Sequence, residues 1–407
     1  MSLDRFHTPN PRPALMRALG WVNGHVVLPH VSRVKSIRLP AEDEARLREA
    51  TRAPFVLCPN HPELFTDWML DKYLCDRHAP LAASWADTAT VNGMGRAMRA
   101  FWLANGLVAA VHGPELELAL SYSGQCLARG HGALIHPEGE VNWDNEALGT
   151  LRAGAVRIAE QGAAQLGRAA SLIPLAWFLR FRVDATRGLQ RELDYVEARL
   201  RVHTARLAGP AQRLGALYET LLERSADEFA LEIGPRSDGF VTRYRRGLAH
   251  GLARLHEEWP EYRPEELPAE AAAAARAWRS AARRLPDAPP QFRRPIQVID
   301  RFLRLVPAAV DQPTMTQEQV HERIKRLRVD WLRGALRDSL ARSVPRAVAP
   351  RDVFLRVAEP VTVAGPSDHS SVLASLRSQM LAALARARQD GLDALGPTVR
   401  YANPFVA

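Results

Sequence analysis

The chain runs to 407 residues, with 47% hydrophobic and 24% charged residues, the balance of an ordinary globular protein of two or three domains. That balance excludes a largely disordered chain. It also excludes a polytopic membrane protein, because the longest apolar run, Phe101 to Val111, is broken by Asn105 and Gly106 and falls short of the roughly 18 residues a span needs.

The net charge of +9 arises from 54 basic against 45 acidic residues. Only Lys35, Lys72 and Lys325 are lysines, an arginine bias that a GC-rich genome also produces. A basic surface attracts phosphates, anionic lipid or nucleic acid, and charge alone does not choose among them. Three cysteines, Cys58, Cys75 and Cys126, make no disulfide framework and fit a reducing compartment. Met1 to His7 lacks the charged-then-apolar order of a secretory signal, so the expected location is the cytoplasm.

In chain order, 1–50 reads as a helical and strand lead-in, with Pro13 to Val27, carrying Trp21 and Val22, as a candidate for interfacial contact. Residues 51–183 mix short apolar runs with helical patterns. Phe55 to Cys58, Ala133 to Ile135 and Ser171 to Ala176 read as strands, and their alternation with helices predicts an α/β sandwich. Pro174 places the third of these strands near an edge or site rim.

From 184 to 350 the pattern is helical: Leu189, Leu193, Val196 and Leu200, then Leu214, Leu217 and Leu221, then Val241, Tyr244, Leu248, Leu252 and Leu255. An alanine run at 271–276 predicts a helix and the proline-rich 286–295 a linker. Thr316 and Gln319 form a capping-box signature ahead of Val320, Ile324, Leu327 and Trp331. Arg323, Arg326, Arg333 and Arg337 border that stripe, either as a face for anionic lipid or as the solvated side of an amphipathic helix. Phe354 to Val357 returns to strand composition, followed by a helix from about Ser371 to Asp390. The arrangement predicts one α/β unit interrupted by a largely helical insertion at 184–350 and completed by 351–407.

Three short segments carry chemistry. Asn60-His61-Pro62-Glu63-Leu64-Phe65-Thr66-Asp67 follows the first strand, and a histidine there with an aspartate on the next helix builds a general base. Ile135-His136-Pro137-Glu138-Gly139 runs from strand to turn, where glycine permits close approach of a ligand. Ile173-Pro174-Leu175-Ala176 is the third. Taken together, they resemble the glycerol-phosphate and lysophospholipid acyltransferase family, of the 1-acyl-glycerol-3-phosphate acyltransferase type. That family has an Asn-His…Asp block, a Phe-Pro-Glu-Gly block about seventy residues later and a Val/Ile-Pro-Val/Leu block beyond. Leu151 to Ala159 resembles the stretch after the family's glutamate, and Val357 to Val361 its Gly-Glu-Pro strand, with Ala358 for glycine. The resemblance covers roughly 50–183 and 351–390.

What it implies is an acyltransferase-type α/β fold and transfer of a fatty acyl group from acyl-CoA or acyl carrier protein to a hydroxyl of a glycerol-phosphate or lysophospholipid acceptor. His61 would be the base and Asp67 its orienting partner, with no covalent enzyme intermediate. Glu138, Gly139, Arg152 and His112 would lie at the acceptor, and backbone N–H groups near the helix start would face the oxyanion. The thioester is a co-substrate; no further cofactor and no metal are expected, since the chain lacks a His-Glu-x-x-His or His-x-x-x-His pair. A peripheral position on the inner face of the membrane follows from the lipid acceptor, and nucleic acid has no supporting motif.

The chain departs from the family at two places. Five residues separate His61 from Asp67 where four are usual, and on a continuous helix the extra residue turns the aspartate by about 100°. A non-helical first turn, helped by Pro62, would absorb it; Asp71 is the fallback partner, and Glu63 is assigned to the helix N-terminus. His112 stands where the family's second block carries arginine, and Glu140-Val141 where the third reads Thr-Arg. Either Arg152, Arg96 or Arg99 replaces those guanidinium forks, or the acceptor is unphosphorylated. The alternative to an enzyme is a non-catalytic lipid- or protein-binding scaffold that keeps the fold.

Overall fold

The computed structural model describes residues 5–204, 209–258, 293–305, 312–332 and 346–406, with 274, 275, 278, 334, 335 and 338 between them. Most of the alanine run, residues 286–292 of the expected linker, Arg333 and Arg337 lie outside the described residues. The chain divides into two compact units, Met1–Val183 with Ser343–Thr398, and Asp184–Arg342 with Val399–Ala407.

The first unit is built on a mixed, mostly parallel sheet. Its strands are β1 (Val34–Arg38), β2 (Phe55–Pro59), β3 (Ala83–Ala86), β4 (Leu107–Ala109), β5 (Ala133–Leu134), β6 (Ala170–Phe181), β8 (Arg351–Val357) and β9 (Val361–Val363), with β7 (Thr314–Thr316) in the other unit. The order across the sheet is β1-β8-β6-β2-β5-β3-β4, and β9 also pairs with β6. From β6 to β4 every neighbour is parallel, whereas β8 and β9 run antiparallel to β6.

The apolar run Phe55-Val56-Leu57-Cys58 has no polar face because both faces of β2 are covered, as expected for a parallel strand inside a sandwich. Val56 and Cys58 pack with the helices Pro114–Ala128 and Gly154–Leu166 and with Leu376 and Met380. Phe55 and Leu57 face the other way, onto Leu47 and onto Met69, Leu70 and Leu74 of the helix Thr66–His78. Alternation at period two therefore splits one continuous apolar run between two cores.

β6 departs from the expected edge strand. It is twelve residues long and central, with β2 on one side and β8 and β9 on the other. Pro174 is accommodated because the neighbouring chain is interrupted there: β9 pairs with Ala170–Leu172, β8 pairs from Leu175 onward, and Ala358 between them donates its N–H to Pro174 O at 3.0 Å. The missing proline N–H thus falls where no strand faces it.

Two domain expectations are corrected. The expected lead-in contributes a strand to the sheet, since β1 (Val34–Arg38) pairs in parallel with β8. The C-terminal residues 399–407 do not complete that core. β10 (Arg400–Ala402) pairs antiparallel with β7 in the second unit, and Phe405 packs there with Tyr218 and Phe240.

In the second unit, Leu189, Leu193 and Val196 of the helix Thr186–Leu200, Leu214, Leu217 and Leu221 of Pro210–Phe229, and Tyr244, Leu248, Leu252 and Leu255 of Phe240–Glu258 are all buried. The helix Gln317–Trp331 opens on the expected capping box, with Thr316 Oγ1 accepting from the Gln319 N–H. At Arg323 neither expectation for the basic side holds, because that residue is buried; Arg333 and Arg337 lie outside the described residues. Arg328 Nη1 donates to Glu192 Oε2 at 2.6 Å, Lys325 pairs with Glu322 at 3.1 Å, and Arg326 Nη2 donates to Leu303 O at 2.7 Å. These cations are spent on partners inside the unit, and Arg323 and Lys325 are not on a face that meets lipid.

Candidate active site

The carboxyl ends of β2, β5, β3 and β4 lie along one edge of the sheet, the edge at which open α/β folds receive ligands. His61 leaves from β2 and His136 from the adjacent β5. Asn60 anchors the first exit: its amide donates to Trp177 O at 3.0 Å and accepts the Trp177 N–H at 2.7 Å, which extends the β2–β6 ladder by one side chain. Asn145 repeats the device at Leu179, with bonds of 2.7 and 2.9 Å.

His61 Nδ1–H donates to Asp67 Oδ2 at 2.6 Å. The Asp67 side chain is fully buried, while the His61 side chain is 19% exposed, so the ring reaches solvent and its orienting carboxylate does not. The five-residue spacing is absorbed as expected by a non-helical segment. Helix begins only at Thr66, and Phe65 sits at φ 78°, ψ −53° with the Thr66 N–H bonded to Leu64 O at 3.1 Å. This is a γ-turn of the strained kind, and it reverses the chain just before the helix that carries the carboxylate.

Asp71 does not serve His61. It lies one turn beyond Asp67 on the same face of the helix Thr66–His78. There it meets His136, with Nε2 to Oδ2 at 2.8 Å, and takes the Trp177 indole N–H on Oδ1 at 2.8 Å. His136 Nδ1 lies 3.0 Å from the Asn60 carbonyl oxygen. The two imidazoles stack, with centroids 4.0 Å apart and planes 18° apart. The site is therefore a pair of histidine–aspartate pairs, one above the other.

Burial by itself lowers the basicity of His136, but the Asp71 carboxylate outweighs it, with Asp67 and Glu138 adding to the effect, and raises the pKa to about 9. A proton held more tightly in the folded chain than in the unfolded one stabilises the fold fully below pH 6.5, and that contribution is lost as pH rises from there through about 9. Denaturant titrations should show wild-type stability falling across pH 6.5–9 and a flatter dependence for Asp71→Asn. A wild-type curve as flat as the variant's would refute the assignment.

Glu138 is buried, and both of its oxygens are engaged by backbone: Oε1 accepts the His61 N–H at 2.7 Å and Oε2 the Gly149 N–H at 2.5 Å. Burial pushes its carboxyl up, and these two bonds partly offset the rise. The structure thus places Glu138 as a brace on the main chain at His61 and Gly149. A Cβ on Gly149 would lie 2.5 Å from Oε2, so only glycine lets that N–H come so near. Gly139 adopts φ 70° and lies under Arg152. The Arg152 N–H bonds Pro137 O at 2.7 Å, and its half-exposed guanidinium stands 3.6 Å from Glu140.

His112 is exposed just beyond β4 on the same edge, separated from β2 by β3 and β5. Arg96 is exposed and Arg99 half-buried on the helix Gly95–Ala104. Cys58, in β2 beside the site, is fully buried and its thiol is pushed up by desolvation, as for a small buried hydrophobe.

Glu63 departs from its expected role at the helix N-terminus. It forms a buried two-pronged pair with Arg351 of β8 at 2.7 and 2.8 Å, and Arg351 also donates to Thr66 Oγ1 and Ser32 O. With 288 positions between the partners, no local pattern announces it. The Asp71–His136 pair did carry a signal: the i, i+4 spacing of Asp67 and Asp71 puts two carboxylates on one helix face.

No protein-family model matches this chain, and no curated protein is found as a relative.

Proposed function

We propose that the protein transfers an acyl group from a thioester, acyl-CoA or acyl carrier protein, to an acceptor hydroxyl, with His61 as general base. The observation that carries this reading is the His61–Asp67 pair, a partly open imidazole whose Nδ1–H is held by a buried carboxylate. With Nδ1 donating, Nε2 carries the free lone pair. It takes the acceptor's proton as the acceptor oxygen bonds to the thioester carbonyl carbon. Collapse of the tetrahedral intermediate breaks the C–S bond, and the proton passes to the departing thiolate. The acyl donor is already activated, so the chemistry needs a base and an oriented acceptor but no nucleophilic side chain. The test is thiol release from acyl-CoA across a panel of glycerol-phosphate, lysophospholipid and unphosphorylated acceptors.

An unphosphorylated acceptor is the second reading for that panel. It is favoured by His112 and Val141 at the positions where the resembling family has arginine, and by an Arg152 guanidinium drawn toward Glu140.

A peripheral membrane position belongs to the same proposal. Among the described residues no helix is long and apolar enough to cross a membrane. The helix Pro13–Val22 and the wider π-helical stretch after it, Asn23–Val31, leave Trp21, Val22 and Val26 exposed, with Trp21 at 61%. An indole at that level of exposure suits the headgroup region of a bilayer. In co-sedimentation with liposomes containing anionic lipid, Trp21→Ser combined with Val22→Ser should cut the bound fraction severalfold. Equal binding by the variant would remove this surface from the proposal.

A further inference from the structure

His136 is placed so that neither ring nitrogen is available to a substrate. Nδ1 lies 3.0 Å from a main-chain carbonyl oxygen, which only accepts, and Nε2 lies 2.8 Å from the Asp71 carboxylate. Nδ1 faces an acceptor and so carries a proton, and Nε2 stands against the carboxylate as an ion pair out of line for a hydrogen bond, a contact that suits a doubly protonated, positively charged ring and not a bare lone pair. Asp71 is anchored in turn by the Trp177 indole, so the charge is held by groups from the β2 exit, the helix Thr66–His78 and β6. What His136 offers the site is the face of its ring, and that face lies 4.0 Å from His61.

We propose that His136 is a fixed imidazolium that tunes the base: its charge, stacked on His61, opposes the pull of Asp67 on the proton that His61 takes up from the acceptor. This deepens the acyl-transfer reading and rests on it.

The need follows from the charges around the pair. Asp67 contacts His61 directly, and Glu138 holds the His61 main-chain N–H. Asp67 and Glu138 also act on His136, together with Asp71. Carboxylates beside an imidazole favour its charged form in general, and a base that is already protonated cannot take an acceptor's proton. One cation at stacking distance opposes them, as a like charge does for any neighbouring ionisable group. Asp71 pairs with that cation at Nε2, so the molecule carries it without an unpaired buried charge. His136 thus acts through His61 and is a positioning residue.

The test uses the full-length protein in three forms: wild type, Asp71→Asn, and the double variant His136→Phe with Asp71→Asn. The last keeps an aromatic ring on His61 and removes both buried charges together, which guards against simple misfolding. Histidine ¹⁵N shifts should show His136 doubly protonated at pH 7.5 in wild type and no longer so in Asp71→Asn. His61 should titrate at higher pH in both variants, by on the order of one pH unit. The acid limb of the rate–pH profile should move by the same amount, with the plateau rate at high pH reduced far less.

A neutral His136 in wild type at pH 7.5 would overturn the proposal. So would an unmoved His61 titration in variants of native circular dichroism, and so would a uniform loss of rate at every pH, which is what a merely structural pair predicts. The ¹⁵N measurements need no turnover. A chain that shows the coupled titration but transfers no acyl group would keep this inference and lose the acyltransferase reading.

Discussion

His61→Ala should lower thiol release from acyl-CoA by on the order of 10²- to 10⁴-fold, the usual contribution of a positioned general base. The effect is expected in turnover rather than in acceptor affinity, because the imidazole acts on the proton that moves in the transition state. Asp67→Asn should fall in the same direction. An asparagine at 2.6 Å from Nδ1 either accepts weakly through its oxygen or presents an amide that favours the wrong tautomer. His61→Ala leaves the fully buried Asp67 carboxylate without its imidazole partner, so the variant should also lose some stability and is assayed well below its own unfolding midpoint. Circular dichroism and denaturant titration beside the assay separate loss of chemistry from loss of fold. Activity unchanged by His61→Ala, with any acceptor in the panel, would end the mechanism.

The second large effect concerns stability. Arg351→Met should destabilise the first unit by about 3–5 kcal/mol, the penalty for stranding one member of a buried ion pair. Both side chains are almost wholly inaccessible, and the guanidinium satisfies the two Glu63 oxygens, the Ser32 carbonyl and the Thr66 hydroxyl together. The loss therefore falls on the loop that leads from His61 into the helix carrying Asp67 and Asp71. The double variant Glu63→Gln with Arg351→Met should recover part of the stability, since no unpaired charge then remains. Activity should drop along with stability, because the γ-turn at Phe65 keeps its geometry only while the surrounding contacts over-determine it. Equal stability of wild type and Arg351→Met would show that the pair holds nothing in place.

Much of the site could be read locally. The Asn60-His61…Asp67 block, the second histidine at 136 and the five-residue spacing were all visible, because each depends on chain neighbours and on the exit of a strand. So were the apolar runs of β2 and β5 and the helical stripes of the second unit, since periodicity records which face a segment buries. Pro174 shows the limit of that logic. Proline at a sheet edge is the right default, yet here a gap between β8 and β9 makes the same missing N–H harmless in the middle of the sheet. The basic side of the helix Gln317–Trp331 shows it again. A row of arginines looks solvated until the carboxylates and carbonyls that meet them, on other helices, are known.

Chain neighbours alone supply the chemistry at hand: a histidine at a strand end, carboxylates at helical spacing on the following segment, and apolar strands that demand cover on both faces. Which carboxylate serves which histidine is settled by strand pairing in the folded sheet. The parallel pairing of β2 with β5 sets the two imidazoles side by side, and one helix turn then separates Asp67 under His61 from Asp71 under His136. Contacts across 75 positions, as between His61 and His136, or across 288, as between Glu63 and Arg351, depend on how strands stack and where loops close. Local residue preferences carry no record of such contacts, because their stability comes from burial and charge pairing that exist only once the sheet has formed.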